Sequence, residues 1–589
     1  MFSSSPDQSD RSLDDESIPT YATIRPKYHQ AFLGQCRRIL GYEAAPRSLR
    51  DDMLYSFLNI PKLHLREVKG AASSRQREKH DKRQLAGDIQ EQNRIVTKPV
   101  TPANADVQRT IATVKRHLRD GFVGKAAKAC LREPPIKLAF KILVDGLINL
   151  HPKEDTPHDE LRIRNPDGSD LGPTYPHIDP SVVASALAKG CSGAAAGRTG
   201  WTEELLLVVA RDTVLARDFA ALVCDIINND ISERNRDRLT SCRLNALPKP
   251  KKEEEAEHGI RPIAVGEALL KAACTVVIQD IDPAIKKVFE GIQYGVGAKG
   301  GTDFVVHSIW RNITFRKRKI TVALDGKNAF NSPFRKQIRE VLLRSEFYEL
   351  RPLWNLWNLA YSKPSNLHFR GDDGETETIL SQRGTRQGDV LGGLFFSIAI
   401  QPTLTAAKKA FPEIDILAYL DDITLQGDDP DAMKNCIKFI EGEFKVLGML
   451  LNPEKCEWFS EECLCPFAEW LKPKQYIKIL GSFFADMQAL ADAVTAHSKK
   501  KHRLFFDRLA ILPFNAQIVI LSNCGIPRMN YTVRAQHPDL TREACEDFDR
   551  RVEACWSLLA LVECGDAASR AREVTHELVC RIQPQAERC

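Results

Sequence analysis

The stretch that decides the fold is Ile416–Leu425, ILAYLDDITL, in which two adjacent acids interrupt an apolar, β-prone run. The flanks predict two strands of one hairpin, with Asp421 and Asp422 at its turn. Asp favours tight turns because its side chain can hydrogen-bond to the nearby backbone, so the pair alone has an ordinary structural explanation. The apolar residues on both sides, however, place the pair at the surface of a buried sheet. The hairpin is therefore a candidate functional site.

A second apolar run ends in an acid at Ile320–Asp325, ITVALD. Carboxylates gathered at one sheet repel one another, and their pKa values shift unless a cation neutralises them. Two divalent ions roughly 3.5–4 Å apart would do this, and would also activate a hydroxyl nucleophile and stabilise a leaving phosphate oxygen. Oxygen ligands with no His or Cys nearby favour Mg²⁺ or Mn²⁺ over zinc. The acids therefore predict two-metal phosphoryl transfer.

The composition is that of an ordinary globular protein. Of 589 residues, 43% are hydrophobic and 27% charged, which excludes a wholly disordered or collagen-like chain. The net charge of +5 permits a nucleic-acid partner without arguing for one. The first twenty residues contain no apolar signal core, and the longest apolar stretch, Val390–Ile400, is too short to span a bilayer. We therefore expect no membrane partner, reduced cysteines, and a nuclear or cytoplasmic location.

The composition and the spacing of apolar residues change several times along the chain. Residues 1–104 are polar and charged, which predicts a mostly disordered region with at most one short helix near the apolar patch Met53–Leu58. Its basic run, Arg75–Arg83, is either a solvated linker or a nuclear-import or RNA-binding tail. Helical spacing predicts a small helical unit at 105–152, and a segment rich in Pro, Asp and Gly predicts a linker at 153–184.

These stretches resemble the ordered blocks of reverse transcriptases of the non-LTR retrotransposon type. Tyr419–Asp422 is similar to their Tyr-x-Asp-Asp signature, and Asp325–Ser332 to their first palm motif. The other blocks follow in family order: Leu247–Pro250 with Arg261–Ile263 (fingers), Gln293–Gly295, Gly384–Asp389 (motif B), Leu447–Cys456 (motif D) and Leu480–Gly481 (primer grip). Weaker similarity at Gly193–Trp201 and Leu150–Pro152 extends the resemblance to about residues 105–560.

The resemblance implies an α+β fold of the right-hand polymerase type, with an antiparallel palm sheet. Fingers and palm would occupy residues 185–485, a helical thumb residues 486–565 and a C-terminal tail residues 566–589. The implied activity is RNA-directed DNA polymerisation with two Mg²⁺ ions, or with Mn²⁺.

The resemblance also implies roles for single residues. Asp325, Asp421 and Asp422 would hold the metals, and Lys455 would protonate the departing pyrophosphate, unless it is simply a surface lysine. Phe330 matches the aromatic residue that lies under the incoming sugar and excludes a 2′-hydroxyl, the group that distinguishes RNA from DNA. Considered alone, Phe330 would be a core residue.

The remaining implied residues bind substrate. Lys249 and Arg261 would bind the triphosphate, where the guanidinium fork suits phosphate oxygens. Gln387, Gly388 and Tyr419 complete the expected substrate-binding set: Lys249, Arg261, Phe330, Gln387, Gly388 and Tyr419. The nearby Arg383 and Arg386 either contact the template backbone or form a solvated pair.

The expected partners are an RNA template, a DNA primer or nicked target DNA, and dNTPs. We find no nuclease pattern in the sequence, so an endonuclease would come from another chain or a missing segment. Two alternatives remain open from the sequence. An RNA-dependent RNA polymerase is disfavoured by Phe330, and an inactive RNA-binding scaffold is disfavoured because all three acids persist.

Overall fold

The structure is a computed structural model, and it describes residues 29–65, 104–119, 121–131, 138–190, 193–249, 259–316, 318–371, 374–460, 471–485 and 487–563. The basic run Arg75–Arg83 and the expected tail 566–589 lie outside the described residues. Over the described ranges, no helix combines the length and apolar character needed to cross a membrane. The fold is α+β with mainly antiparallel sheets, as the sequence predicted.

A five-stranded sheet carries the acids. Its strands lie in the order β6-β7-β3-β8-β9, and only the last pair is parallel. The bounds are β3 (Ile320–Leu324), β6 (Asp415–Tyr419), β7 (Asp422–Gly427), β8 (Glu457–Ser460) and β9 (Lys472–Pro473). Strands β3 and β7, in the interior of the sheet, are almost wholly buried, which suits their β-branched and aliphatic residues. The helices Gly392–Ala410 and Pro430–Val446 share the core of this sheet.

A second sheet has four strands and lies across a cleft from the five-stranded sheet. Its strands follow the order β2-β1-β4-β5. The bounds are β1 (Cys242–Pro248), β2 (Ile260–Val265), β4 (Ser365–Arg370) and β5 (Thr376–Ser381). The helix Phe140–Asn149 packs on this sheet, and the Phe140 ring stacks on Phe369 with centroids 5.6 Å apart. A small separate hairpin joins β10 (Ile477–Ile479) to β11 (Ser482–Phe484).

Helices form the rest of the described structure. The α-helices are His29–Cys36, Arg47–His64, Asn104–Arg119, Val123–Leu131, Phe140–Asn149, His158–Leu161, Pro180–Ala188, Glu203–Ala210, Ala216–Ile227, Glu233–Thr240, Ala268–Asp280, Asp282–Phe289, Gly301–Thr314, Arg335–Leu342, Leu353–Ala360, Gly392–Ala410, Pro430–Val446, Met487–Leu509, Phe514–Ile520, Asn530–Ala535 and Pro538–Glu563. Short 3-10 turns lie at Arg37–Ile39, Tyr42–Ala44, Ala329–Asn331, Ser345–Leu350 and Ile526–Met529, and a π-helical turn at Leu521–Gly525.

The segment 29–65 differs from the prediction of a mostly disordered region. It folds into two α-helices whose apolar residues belong to the largest helical core. Trp201 stacks on Phe57 with centroids 4.5 Å apart, and its indole N–H donates to the Phe57 carbonyl. The Tyr42 hydroxyl donates to Asp225 at 3.1 Å. Composition did not reveal this order because the stabilising partners lie far away in the sequence.

The predicted helical unit 105–152 divides between two cores. The helix Val123–Leu131 packs with the C-terminal helices, where the Arg508 guanidinium donates to the Cys130 carbonyl at 2.8 Å. The helix Phe140–Asn149 instead covers the four-stranded sheet. Two helices that are neighbours in the sequence therefore pack in different cores.

The expected linker 153–184 contains the short helix His158–Leu161 and the start of the helix Pro180–Ala188, and it is attached to the body of the protein. The Asn358 amide both accepts from the Ile163 N–H and donates to the Ile163 carbonyl, each at 2.8 Å. Further along, the Asn228 side chain accepts from the Thr174 and Tyr175 N–H groups. These contacts satisfy backbone groups that a short linker cannot pair internally.

Candidate active site

The acidic pair lies at the turn of a hairpin, as predicted. Strands β6 and β7 pair in register from Asp415 to Tyr419, which faces Asp422, so that Leu420 and Asp421 form the turn. Leu420 has a positive φ of 55°, a conformation that costs a residue with a Cβ roughly 1–2 kcal/mol. The turn therefore needs support from outside the hairpin.

Gln293 provides that support. Its Oε1 accepts from the Leu420 N–H at 2.6 Å, and its Nε2 donates to the Leu420 carbonyl at 3.2 Å. Gln293 is buried, and the adjacent Tyr294 N–H donates to the Ala418 carbonyl at 2.7 Å. Sequence reasoning gave Gln293 no role, because no local pattern indicates a contact across 127 residues.

The third acid follows strand β3 directly. Leu324 pairs with Ile423, so Asp325 comes next to Asp422 at the same edge of the sheet. Two contacts hold the Asp325 backbone: its N–H donates to the Cys456 sulfur at 3.3 Å, and its carbonyl accepts from the Asn452 N–H at 2.7 Å. Cys456 is thus a structural support of the site, which sequence reasoning also missed.

The pKa values of Asp421 and Asp422 are both raised. Loss of surrounding water raises the pKa of Asp421, the charge of Asp325 raises it further, and the charge of Arg261 opposes both. Burial of its carboxyl group away from water, together with the charges of Asp421 and Asp325, raises the pKa of Asp422 to about 6. Such mutual repulsion favours a bound cation.

The donor set fits a hard divalent cation. All three side chains offer carboxylate oxygens, the ligands that Mg²⁺ and Mn²⁺ prefer. Over the described part of the chain, no three His, Cys, Asp or Glu side chains converge on one ion position. Ions held here would therefore take further ligands from water or substrate oxygens, as Mg²⁺ commonly does.

The cleft beside the acids has a volume of about 1490 Å³. This is more than the roughly 300–1,000 Å³ of a typical small-molecule site and leaves room for a nucleotide and a strand end. The predicted residues in its lining are Lys249, Arg261, Asp325, Phe330, Gln387, Gly388, Asp421 and Lys455. Tyr419 and Asp422 form the pair that closes the hairpin and lie beyond this lining.

Phe330 is both packed and accessible to the cleft. Its ring stacks on Phe396 with centroids 4.8 Å apart, and the residue is half-buried. Its carbonyl accepts from the Thr385 N–H at 2.7 Å and lies 3.3 Å from the Thr385 hydroxyl. The core interpretation and the substrate interpretation of this residue are therefore compatible.

Gln387 and Gly388 lie where a loop passes close to strand β2. The Gln387 carbonyl accepts from the Ala264 N–H at 2.8 Å, while its side-chain Oε1 is buried without a hydrogen-bond partner in the described structure. Gly388 has a φ of 100°, and a Cβ there would lie 2.5 Å from the Ala264 carbonyl oxygen. Only glycine fits this approach.

The two arginines of this loop do not form a solvated pair, because each guanidinium is bonded within the protein. Arg386 is buried and forms an ion pair with Asp389 at 2.5 Å. Arg383 donates to the Ser332 and Gly448 carbonyls and lies over the Phe334 ring, 3.8 Å from its centroid. Both guanidinium groups are used to hold the loop.

The comparisons with known proteins agree with this geometry. The profile of the family described as reverse transcriptase (RNA-dependent DNA polymerase) matches residues 247–484. These residues are a reverse transcriptase domain. The matched segment contains the five-stranded sheet, the acidic hairpin and every lining residue that the sequence predicted, and it contains the four-stranded sheet except for most of β1.

Two relatives support the non-LTR type of the reverse transcriptase domain. The retrotransposable element SLACS 132 kDa protein of Trypanosoma brucei gambiense is 30% identical over 378 residues, covering 64% of this chain and 31% of the relative. A Pol polyprotein from type-1 retrotransposable element R2 of Popillia japonica is 24% identical, covering 53% of this chain and 46% of the relative. The chain thus spans less than half the length of these relatives.

Solved structures give a weaker likeness. Telomerase from Candida albicans, in complex with a telomeric RNA fragment, aligns with a TM-score of 0.33 and 10% identity, over 60% of this chain and 68% of that one. At this score the alignment carries no argument about the reverse transcriptase domain.

Proposed function

We propose that the protein is an RNA-directed DNA polymerase of a non-LTR retrotransposon-like element, which extends a primer 3′-hydroxyl with dNTPs. The observation that carries the proposal is the meeting of Asp325 and Asp421 with Arg261 at one cleft. Acids on one wall and a cation on the other suit a triphosphate that arrives with divalent ions. We assign the palm to the five-stranded sheet, the fingers to the four-stranded sheet and the thumb to residues 486–565.

The three acids would hold two Mg²⁺ ions, for which Mn²⁺ could substitute. When bound, such ions lower the pKa of the attacking hydroxyl and offset charge on the phosphates. Asp325 and Asp421 line the cleft and would provide most of the ligands, whereas Asp422 lies behind them in a supporting position. The Gln293 contact keeps Asp421 at the tip of its turn.

Arg261 and Lys249 would bind the triphosphate. Arg261 lies on β2 and lines the same cleft as Asp421, and its charge partly offsets the rise in the pKa of Asp421. A phosphate between them would contact both the guanidinium and an ion held by the acid. Lys249 lies at the end of the same β-hairpin, where its N–H donates to the Gly259 carbonyl at 2.8 Å. A guanidinium can hold two phosphate oxygens at once.

The nucleotide itself would lie between Phe330 and the loop that contains Gln387. The Phe330 ring would occupy the space of a 2′-hydroxyl, so that deoxynucleotides are preferred. Gln387 would use its unpaired Oε1 towards the base or template, and Gly388 would let the backbone approach closely. Tyr419, beside the turn, would contact the primer end.

Lys455 would act as the general acid on pyrophosphate. It is half-buried in the cleft lining, in a turn where its N–H donates to the Asn452 carbonyl at 3.0 Å. The Asn452 N–H of the same turn donates to the Asp325 carbonyl, so one turn would position both the proton donor and a metal ligand. A general acid must be positioned in this way near the leaving group.

The proposed partners are an RNA template, a DNA primer or nicked target DNA, and dNTPs. An endonuclease, from another chain or from a segment outside this sequence, would produce the nick. We place the reaction in the nucleus or cytoplasm, where nucleic-acid templates and reduced thiols occur together.

The test is primer extension on a poly-rA/oligo-dT hybrid with Mg²⁺ or Mn²⁺, comparing dTTP with UTP. We expect extension with dTTP only, and its loss in Asp421→Asn. Asp428→Asn is the matched control, because Asp428 lies after the opposite end of β7 and pairs with Arg318. Equal use of UTP would favour an RNA-dependent RNA polymerase. RNA binding without extension under either ion would favour the scaffold.

A further inference from the structure

The 3-10 turn that carries Phe330 is attached to a segment outside the reverse transcriptase match. The Asn328 and Asn331 side-chain amides both donate to the Leu150 carbonyl, each at 2.9 Å. Asn331 also donates to the Asn328 side-chain oxygen at 3.2 Å, so the two amides form one cluster. The contacts join positions 178 and 181 residues apart.

The acceptor is itself firmly placed. Leu150 follows the helix Phe140–Asn149, and its N–H is bonded within the last helical turn. That helix is part of the core of the four-stranded sheet, and Leu150 lines the cleft. Because the last carbonyls of a helix have no partner within it, the Leu150 oxygen is available to the two amides.

The other side of the Phe330 turn is equally confined. Thr385 donates to the Phe330 carbonyl, and Gly384 approaches so closely that a Cβ would lie 2.4 Å from that oxygen. The turn is thus held between the Gly384 loop and the Leu150 carbonyl. With one side removed, the backbone of Phe330 could shift while its other contacts persist.

We propose that the Leu150 carbonyl, through Asn328 and Asn331, sets the position of the Phe330 ring and thereby the discrimination between deoxy- and ribonucleotides. Asn331 is then a positioning residue for sugar selection, and the helix Phe140–Asn149 is part of the nucleotide site. This inference rests on the proposed function. Asn331 is 3% exposed, and its removal takes away the bonds to the Leu150 carbonyl and to the Asn328 side chain that hold this side of the turn.

The test compares Asn331→Ala with a matched control, Asn355→Ala. Asn355 is also 3% exposed, and its amide donates to the Gly172 carbonyl at 3.1 Å and to Thr174, far from Phe330. Both variants should lose similar thermal stability. The first readout is the ratio of kcat/KM for dTTP to kcat/KM for UTP. The second is the Kd of each nucleotide for the protein bound to a dideoxy-terminated oligo-dT on poly-rA, a complex in which no bond can form.

We expect Asn331→Ala to lower the dTTP-to-UTP selectivity by about tenfold, the effect of losing its two part-buried hydrogen bonds to Leu150 and Asn328. The change should come mainly from a lower KM and Kd for UTP, while Asn355→Ala keeps the wild-type selectivity. If Asn331→Ala does not fold, Asn328→Gly replaces it, since glycine keeps the φ of 51° and removes one bond to Leu150.

Two results would overturn the inference alone: wild-type selectivity in Asn331→Ala, or in Asn328→Gly where that variant replaces it, and an equal loss of selectivity in Asn355→Ala. Failure of the unmutated protein to bind or extend with either nucleotide would instead refute the proposed function, and this inference with it. The two failures are distinguishable because only the second is seen without any substitution.

Discussion

Removing the carboxylate of Asp389 should destabilise the protein strongly. Asp389 accepts from Arg386 Nε at 3.0 Å, from Arg386 Nη2 at 2.5 Å and from the Tyr361 hydroxyl at 2.8 Å. The Arg386 side chain is only 2% exposed, so Asp389→Ala leaves a guanidinium charge buried without its counter-ion. The prediction concerns the free energy of unfolding.

The magnitude follows from that burial. Breaking a buried ion pair by removing one partner costs about 3–5 kcal/mol, compared with about 5–15 kcal/mol for the total stability of a typical domain. For cooperative units of 150–250 residues this corresponds to a fall in Tm of roughly 6–20 °C. The remaining Arg386 bonds to Thr240 and Ser365 do not neutralise the charge.

The assay is thermal and urea unfolding of the full chain, followed by circular dichroism. The matched control is Asp507→Ala, which removes an acid from the exposed pair Arg503–Asp507 and should change stability by less than about 0.5 kcal/mol. The double variant Arg386→Met/Asp389→Ala should recover part of the loss, because no buried charge remains. A loss below about 1 kcal/mol in Asp389→Ala, or a double variant no better than the single one, would refute the reasoning.

Three further predictions concern the acidic turn, its neighbouring loop and the C-terminal helices. Gln293→Ala removes the hydrogen bonds to both the N–H and the carbonyl of Leu420. We therefore expect primer extension to fall at least about tenfold with little change in circular dichroism. Unchanged extension would argue against support of the turn by Gln293. Gly388→Ala places a Cβ 2.5 Å from the Ala264 carbonyl oxygen, and should abolish extension and lower the melting temperature; full activity would contradict it. Burial and neighbouring positive charges lower the pKa of His502 from 6.5 to about 3. Between these two pH values the unfolded chain therefore binds one proton more than the folded protein. The free energy of unfolding should fall as the pH drops, by about 2 kcal/mol from pH 6.5 to 5. His502→Leu should remove that part of the pH dependence in urea titrations, and an unaltered slope would show that His502 is not its source.

The sequence by itself identified the three acids that the fold brings to one edge of the five-stranded sheet. In ILAYLDDITL and ITVALD, apolar runs specify buried strands locally, and an acid at the end of each run must emerge at the rim of the sheet. The order of the blocks along the chain then gave the family. Gly388 was also readable, since glycine is the residue that allows close backbone approach.

The supports of that site depended on the tertiary structure. The bond from Gln293 to Leu420, the Leu150 carbonyl between Asn328 and Asn331, and the burial of Arg386 all join segments well separated in the chain. Local patterns report which face of a strand or helix is apolar, but they do not report which distant donor meets which acceptor.

The same reason explains the segment 29–65. Its short apolar patches look too weak to fold alone, and they become helices because Trp201 and Asp225 supply the surface and hydrogen bonds that they lack. In this protein local periodicity indicates which strands end at the candidate acids. Their exact placement comes from long-range packing, because each positioning contact needs a partner that only the folded chain brings near.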